Sequence, residues 1–209
     1  MAADLTLYTN PQSRGRIARW MLEEVGQPYD VRILGYADTM KGAEYLAVNP
    51  MGKVPALVHR GQVVTETAAI CAYLADAFPD AMLGPRPDER ADYYRWMFFA
   101  AGPLEHAITN RFLNVTPTEE QQPMAGYGTY ERTVDVLERA VSRHAYIAGE
   151  RFTAADVYVG SHVMWGQQFG SLPKSDKLSA YAARLAERTA HARATELDDA
   201  AMPKDGLAA

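Results

Sequence analysis

Glu66 and Thr67 stand where an apolar strand pattern, "QVVTE", gives way to a helical one, "TAAICAYLADA". The first amides of a helix have no internal acceptor and lie at the positive end of its dipole. Together with the Thr67 hydroxyl they can hold a carboxylate, while Glu66 can take an ammonium group. A site doing both would recognise the end of an α-amino acid. Plain helix capping is the competing account of the same pair. Just upstream, "KVPALV" places Pro55 inside a strand pattern. Proline has no amide proton and cannot donate to a central ladder. A cis Val54–Pro55 bond would make a tight turn there. It would leave the Val54 N–H and C=O facing outward, open to pairing with an extended peptide. An ordinary edge-strand proline is the alternative.

The elements that must position these residues are legible. "LTLY" (5–8) is a short strand, and "TNPQS" (9–13) is a turn in which Ser13 can cap the next helix. Residues 14–25 carry Ile17, Met21 and Val25 on one stripe with Ala18 and Leu22, so they form that helix. Gly26 ends it and Pro28 blocks continuation. "YDVRIL" (29–34) is a strand, followed by a loop and a short helix to residue 50. "VPALVH" (54–59) and "QVVTE" (62–66) are strands joined by a tight "RG" reversal, and residues 67–78 form a helix. The order is strand, helix, strand, helix, strand, strand, helix, which fits a small mixed sheet with helices on its faces. "PDAMLGPRPDER" (79–90) is rich in Pro, Asp and Gly and reads as a linker. Beyond it the pattern is helical: 88–115 with a bend at "AGPLEH", then 129–144, 154–168 and roughly 176–193, with an alanine-rich tail that frays.

Composition narrows the field. The chain has 209 residues, 48% hydrophobic and 22% charged, with a formal charge of -5, an ordinary globular balance. The acidic excess gives no electrostatic basis for binding nucleic acid or an anionic membrane. The N-terminus lacks the basic start and apolar run of a signal peptide, and no apolar run reaches membrane-spanning length. Cytoplasmic localisation is the expectation. Cys71 is the single cysteine, so no internal disulfide forms. His59, His106, His144, His162 and His191 make no compact ligand motif, so no metal is expected. There is no glycine-rich phosphate loop.

"NPMGKVPALV", then "VVTETAAICAYLADAFP", then "GERFTAADVYVG" (149–160) resemble, in that order and over nearly the full chain, the cytosolic glutathione transferases. The resemblance implies an α/β thioredoxin-like N-terminal domain (1–80), a linker (81–88) and an all-α C-terminal domain (89–209). It implies glutathione as a cosubstrate, with no permanently bound cofactor. Val54 would pair with its cysteinyl part beside a cis Pro55. Thr67, where many members have serine, would take the γ-glutamyl carboxylate and Glu66 the amine. Lys53 would reach the glycyl carboxylate or lie in solvent.

Catalysis then needs a donor aimed at sulfur, because a free thiol with a pKa near 8.5 is mostly protonated at neutral pH. "LYTNPQSRGR" offers Tyr8, Thr9, Asn10, Ser13 and Arg14 where the first strand passes into the first helix. With no cysteine in this loop, the chain is similar to bacterial, serine-like members rather than cysteine-type ones. Ser13 leads as thiolate donor, with Asn10 and Thr9 behind it, and Ser13 as a simple N-cap stands against this.

In the helical domain, Trp96 and Phe99 are expected in the core, with Tyr93 or Met97 on another surface. Tyr94, Phe98, His106, Arg111 and Trp165 are nominated for a pocket that takes a small hydrophobic electrophile. Thr153 and Asp156 form a capping box, flanked by a Phe152–Val157 staple. The resemblance makes the expected product a homodimeric glutathione transferase. A glutathione-dependent peroxidase, isomerase or disulfide reductase, and a non-catalytic binding module, are the competing functions.

Overall fold

The computed structural model describes residues 4–203. They fall into two compact units. One holds residues up to Ala81 together with those from Glu187 onward, and the other spans Met82–Ala186.

The first unit opens with β1 (Leu5–Thr9), α1 (Gly15–Val25) and β2 (Asp30–Ile33). A short α2 (Ala43–Leu46) leads to β3 (Ala56–His59), β4 (Gln62–Thr65) and α3 (Thr67–Ala77). The strands form one mixed sheet in the order β2-β1-β3-β4. β1 runs parallel to β2, with Leu7 opposite Val31, and antiparallel to β3, with Leu7 opposite Leu57. β3 and β4 are a hairpin with Ala56 opposite Thr65. Its reversal places Arg60 (φ 51°) and Gly61 (φ 78°) in left-handed conformations, the pair that a two-residue turn between twisted strands requires. Alternation along β1 buries Leu5, Leu7 and Thr9. The α1 stripe of Ile17, Ala18, Met21, Leu22 and Val25 is buried as its spacing dictates. Gly26 (φ 70°) ends that helix, its N–H donating to the Leu22 carbonyl. Cys71 lies in the buried face of α3 with Ile70 and Leu74.

The second unit is helical: α4 (Arg90–Phe99), a wide π-turn over Ala100–Leu104, α5 (Glu105–Phe112), α6 (Tyr130–Val141), α7 (Ala154–Gln168) and α8 (Asp176–Ala186). The π-turn contains Pro103, which has no amide to give the α-helical ladder, and it falls at the expected "AGPLEH" bend. Tyr93, Trp96 and Met97 are all buried, so neither Tyr93 nor Met97 turns to another surface. With Ala100 and Leu104 they continue one stripe at i, i+3, i+4 and i+7 spacing, and Phe99 is only half-buried.

The expected helix over 176–193 is two helices. α8 stops at Ala186, and α9 (Thr189–Ala200) starts after Arg188, which is extended at φ −72°, ψ 129°. Arg188 is held there by a two-pronged pair with Glu24 of α1 at 2.6 and 2.7 Å. α9 then packs along α1, where Trp20 meets the His191 ring edge-on at 4.7 Å. The described residues from Glu187 onward therefore group with the sheet, a difference from the helical domain expected over 89–209. The alanine-rich tail expected to fray is helical as far as Ala200, within α9, and its residues after 203 lie outside the described residues.

Candidate functional site

The register brings three sequence-distant pieces to one end of the sheet. Tyr8 pairs with Ala56, and Ala56 with Thr65. The exit of β1, the entry to β3 and the exit of β4 therefore lie side by side. The loop 9–14, Val54 and the Glu66–Thr67 pair continue from those three ends.

The entry to β3 carries a cis Val54–Pro55 bond. The approach to it is tied down by side chains that the sequence reading passed over. Tyr45 donates its hydroxyl to the Lys53 carbonyl at 2.5 Å, Asn49 donates to the same oxygen at 2.8 Å, and Lys41 donates to the Gly52 carbonyl at 2.7 Å. The Asn49 side chain also accepts from the Met51 amide at 3.1 Å. That Asx turn was the legible signal, since asparagine before Pro-Met-Gly is turn chemistry. Gly52 has φ 57°, and a Cβ there would come within 3.1 Å of the Met40 carbonyl and the Lys41 amine. Lys53 itself is exposed. Among the described residues no protein group hydrogen bonds the Val54 N–H or C=O.

At the exit of β4, Glu66 takes the N-cap position of α3 at φ 64°, ψ 117°, with no side-chain cap bond. That backbone region is sparsely populated for a residue with a Cβ. The Glu66 side chain is exposed, Thr67 is largely buried, and neither side chain has a hydrogen-bond partner among the described residues.

The third piece is more constrained than its sequence suggests. Thr9 is fully buried, and its hydroxyl has no hydrogen-bond partner. It faces the start of α1, where a Cβ on Gly15 would fall 1.9 Å from it. Glycine is therefore required at position 15, and Thr9 is enclosed. Asn10 donates to the Leu34 carbonyl and accepts from the Gln12 amide, both at 2.8 Å, so its side chain shapes the loop. Ser13 is half-buried. Its hydroxyl donates to the Asn10 carbonyl at 2.7 Å and accepts from the Gly15 amide at 2.9 Å. Tyr8 is partly buried against Met40, Tyr45 and Ala56, with its ring 5.5 Å from that of Tyr45. Arg14 is exposed. Tyr36, also unforeseen, donates to the Gln12 carbonyl at 3.1 Å. Burial raises its phenol pKa, against the Ser13 hydroxyl and the Arg14 charge.

The nominated electrophile residues lie in the second unit. Tyr94 and Phe98 are exposed on one face of α4 at i, i+4 spacing. His106 and Arg111 are exposed on α5, but not at a spacing that shares a face. The Arg111 guanidinium lies 4.2 Å over the Tyr130 ring. Trp165 is half-buried on α7. Among the described residues, no group of three or more His, Cys, Asp or Glu can hold a metal ion, and no helix is long and apolar enough to cross a membrane. Burial pushes the Cys71 thiol up, away from the thiolate that redox or nucleophilic work needs.

A mixed thioredoxin-like sheet and an all-helical unit after it define a class. The chain belongs to the glutathione S-transferase family. The family's N-terminal domain matches residues 14–77 and its C-terminal domain residues 94–189. It is 31% identical over 193 residues to glutathione S-transferase GstA of Escherichia coli O157:H7, covering 88% of this chain and 94% of that one. Among solved structures it is similar to a glutathione transferase from Methylococcus capsulatus, at 28% identity and TM-score 0.76 over 94% of this chain and 99% of that one. It is also similar to the theta class glutathione S-transferase of Xanthomonas axonopodis pv. citri with glutathione bound, at 30% identity and TM-score 0.75 over 93% and 98%.

Proposed function

We propose that the protein joins the thiolate of glutathione to small hydrophobic electrophiles. The observation that carries this is the open end of the sheet, where the unpaired Val54 peptide group and the uncapped start of α3 lie at the same end of the β3–β4 hairpin. A γ-glutamyl-cysteinyl peptide has the matching groups. Its extended backbone pairs with Val54, its carboxylate takes the Thr67 hydroxyl and the first α3 amides, and its ammonium takes Glu66. Lys53 stands exposed beside this strand for the glycyl carboxylate. A relative of 30% identity that holds glutathione supports glutathione as the ligand.

Ser13 is our choice for thiol activation. Asn10 and Thr9 are worse placed, because one is spent on the loop and the other is enclosed. The Ser13 hydroxyl turns from the Asn10 carbonyl to the sulfur and keeps the Gly15 amide as its donor. The sulfur then forms a bond to the electrophilic carbon, and a leaving group departs with its electron pair or the opened oxygen or carbon takes a proton from water. The protein supplies orientation and a lowered thiol pKa. This is a serine-type reading of a bacterial enzyme, and a cytoplasmic homodimer is the form it implies. Tyr94, Phe98, His106, Arg111 and Trp165 stand as the nominated electrophile contacts.

The test is a pH titration of glutathione thiolate absorbance on wild type, Ser13→Ala and Glu66→Ala. We expect thiolate at neutral pH in wild type, a raised thiol pKa with binding retained in Ser13→Ala, and weakened binding in Glu66→Ala. An unchanged pKa in Ser13→Ala would remove that residue from the mechanism. Wild type that binds no glutathione would overturn the function.

A further inference from the structure

The loop 9–14 presents successive backbone carbonyls, and each is taken by a different group. Asn10 O receives the Ser13 hydroxyl, Gln12 O receives the Tyr36 hydroxyl, and Pro11 O receives Nε of Arg16 at 2.5 Å. The Arg16 contact is the charged one. It is also the one whose donor is itself held from outside the loop, since Nη2 of the same guanidinium donates to Asp199 Oδ1 at 2.6 Å. Asp199 belongs to α9, and α9 is fixed on α1 independently. Arg19 and Asp198 form a buried pair at 2.8 Å, and Arg188 grips Glu24. Arg193 pairs with Glu23 on the same helix.

The Arg16–Asp199 pair has no good account as a stabiliser. Asp199 is 61% exposed in that contact and Arg16 25%, and such pairs add little to stability. As a clamp the geometry does fit. The guanidinium is a rigid planar fork that can face the Pro11 carbonyl and the Asp199 carboxylate at once, which a lysine ammonium on a flexible stem does not reproduce.

We infer that Arg16 and Asp199 are positioning residues for thiol activation, α9 orienting Arg16 so that it fixes the loop carrying Ser13. The inference rests on Ser13 acting on glutathione sulfur and adds the device that sets its geometry. Neither residue touches the substrate.

The test measures glutathione thiolate formation against pH on the full-length protein, with glutathione affinity and unfolding temperature measured in parallel. The variants are Arg16→Gln, Arg16→Lys, Asp199→Asn and, as a control, Arg193→Ala, which removes an α9–α1 pair that does not reach the loop. Arg16→Gln is expected to raise the thiol pKa by about one unit, roughly a tenfold loss of thiolate below neutral pH, with affinity within about twofold of wild type. Arg16→Lys restores part of that shift, Asp199→Asn raises the pKa less than Arg16→Gln does, and Arg193→Ala leaves it unchanged. Asp199→Asn also separates positioning from charge. Freeing the Arg16 charge would lower the thiol pKa if charge alone mattered, so a fall overturns the inference. An unchanged pKa in Arg16→Gln, or an equal rise in Arg193→Ala, overturns it too. Those outcomes are distinct from failure of the underlying function, in which wild type itself forms no thiolate.

Discussion

Two helix starts in this chain use similar residue types to opposite ends. At the start of α7, Thr153 and Asp156 close on each other in a capping box. The Asp156 carboxylate accepts from the Ile147 amide at 2.7 Å, the Thr153 amide at 2.9 Å, the Thr153 hydroxyl at 3.1 Å and the Tyr181 hydroxyl at 2.9 Å. Both residues are fully buried. At the start of α3, Glu66 and Thr67 make no such bonds, and the Glu66 backbone sits at a positive φ that a capping residue does not need. A helix start whose donors and acceptors are satisfied inside the protein serves stability. One left open at the edge of a sheet, at a backbone cost, is available to a ligand.

Removing the carboxylate from the closed site should give the largest effect. Asp156→Ala leaves buried amides and hydroxyls without an acceptor, and we expect a loss of about 3–5 kcal/mol. Chemical denaturation reads it directly, and soluble yield reads it if the variant does not fold. Asp156→Asn keeps one acceptor oxygen and should fall between. Whatever protein remains folded should bind glutathione as wild type does. Selective loss of glutathione affinity at normal stability would erase the contrast between the two sites.

The open site should respond the other way. Thr67→Val keeps the shape and removes the hydroxyl. We expect glutathione affinity to fall by about tenfold or more, the scale of one hydrogen bond to a charged group, with an unfolding midpoint near that of wild type. Calorimetry with glutathione and a thermal melt on the same preparation check both halves. A destabilised variant with intact affinity would make Thr67 a capping residue like Thr153.

pH sharpens the contrast. Burial pushes the Asp156 carboxyl up to about 6 from its ordinary 3.8, against the pull of its amide and hydroxyl donors. The folded chain thus holds this proton more tightly than the unfolded chain. The contribution of that proton to stability is complete below the unfolded value and is lost as pH rises through about 6. The stability gap between wild type and Asp156→Ala should therefore be wider near pH 5 than near pH 7.5, by about 1–2 kcal/mol. Denaturation curves of both proteins at the two pH values measure it. A gap that widens toward pH 7.5 would mean that the four donors outweigh burial.

The closed site was readable from spacing, because Thr153 and Asp156 lie within one turn and a capping box is local chemistry. The strands and their mixed sheet were readable for the same reason, through alternation in 5–8 and 54–66 and the stripe in 14–25, but the order of the strands across the sheet was not. The loop before Ser13 was only half readable. Its donors were identifiable by type, but how each is engaged depends on the close approach of Gly15 and on Leu34 and Tyr36, which lie outside the motif. Tyr45 and Asn49 were missed because they act on a backbone carbonyl, which no side-chain pattern announces. The split at Arg188 was invisible because residues 176–193 keep helical character throughout. What divides them is Glu24, far away in the sequence.

The smallest expected effect concerns the backbone of the open site alone. Glu66 sits at φ 64°, ψ 117°, a region that glycine enters without the cost a Cβ imposes. Glu66→Gly relieves that conformation in the folded state and also gives the unfolded chain more freedom to lose. The two oppose each other, and we expect relief to win by about 0.5–1 kcal/mol. The same change removes the carboxylate proposed to take the γ-glutamyl ammonium, so stability should rise while glutathione affinity falls. Glu66→Ala keeps the strain and removes the same carboxylate, so it should lose affinity without the gain in stability. Melting temperature and affinity measured for the two variants separate backbone from side chain. A Glu66→Gly protein that is both less stable and as tight as wild type would mean that this position is built for the fold, as Asp156 is.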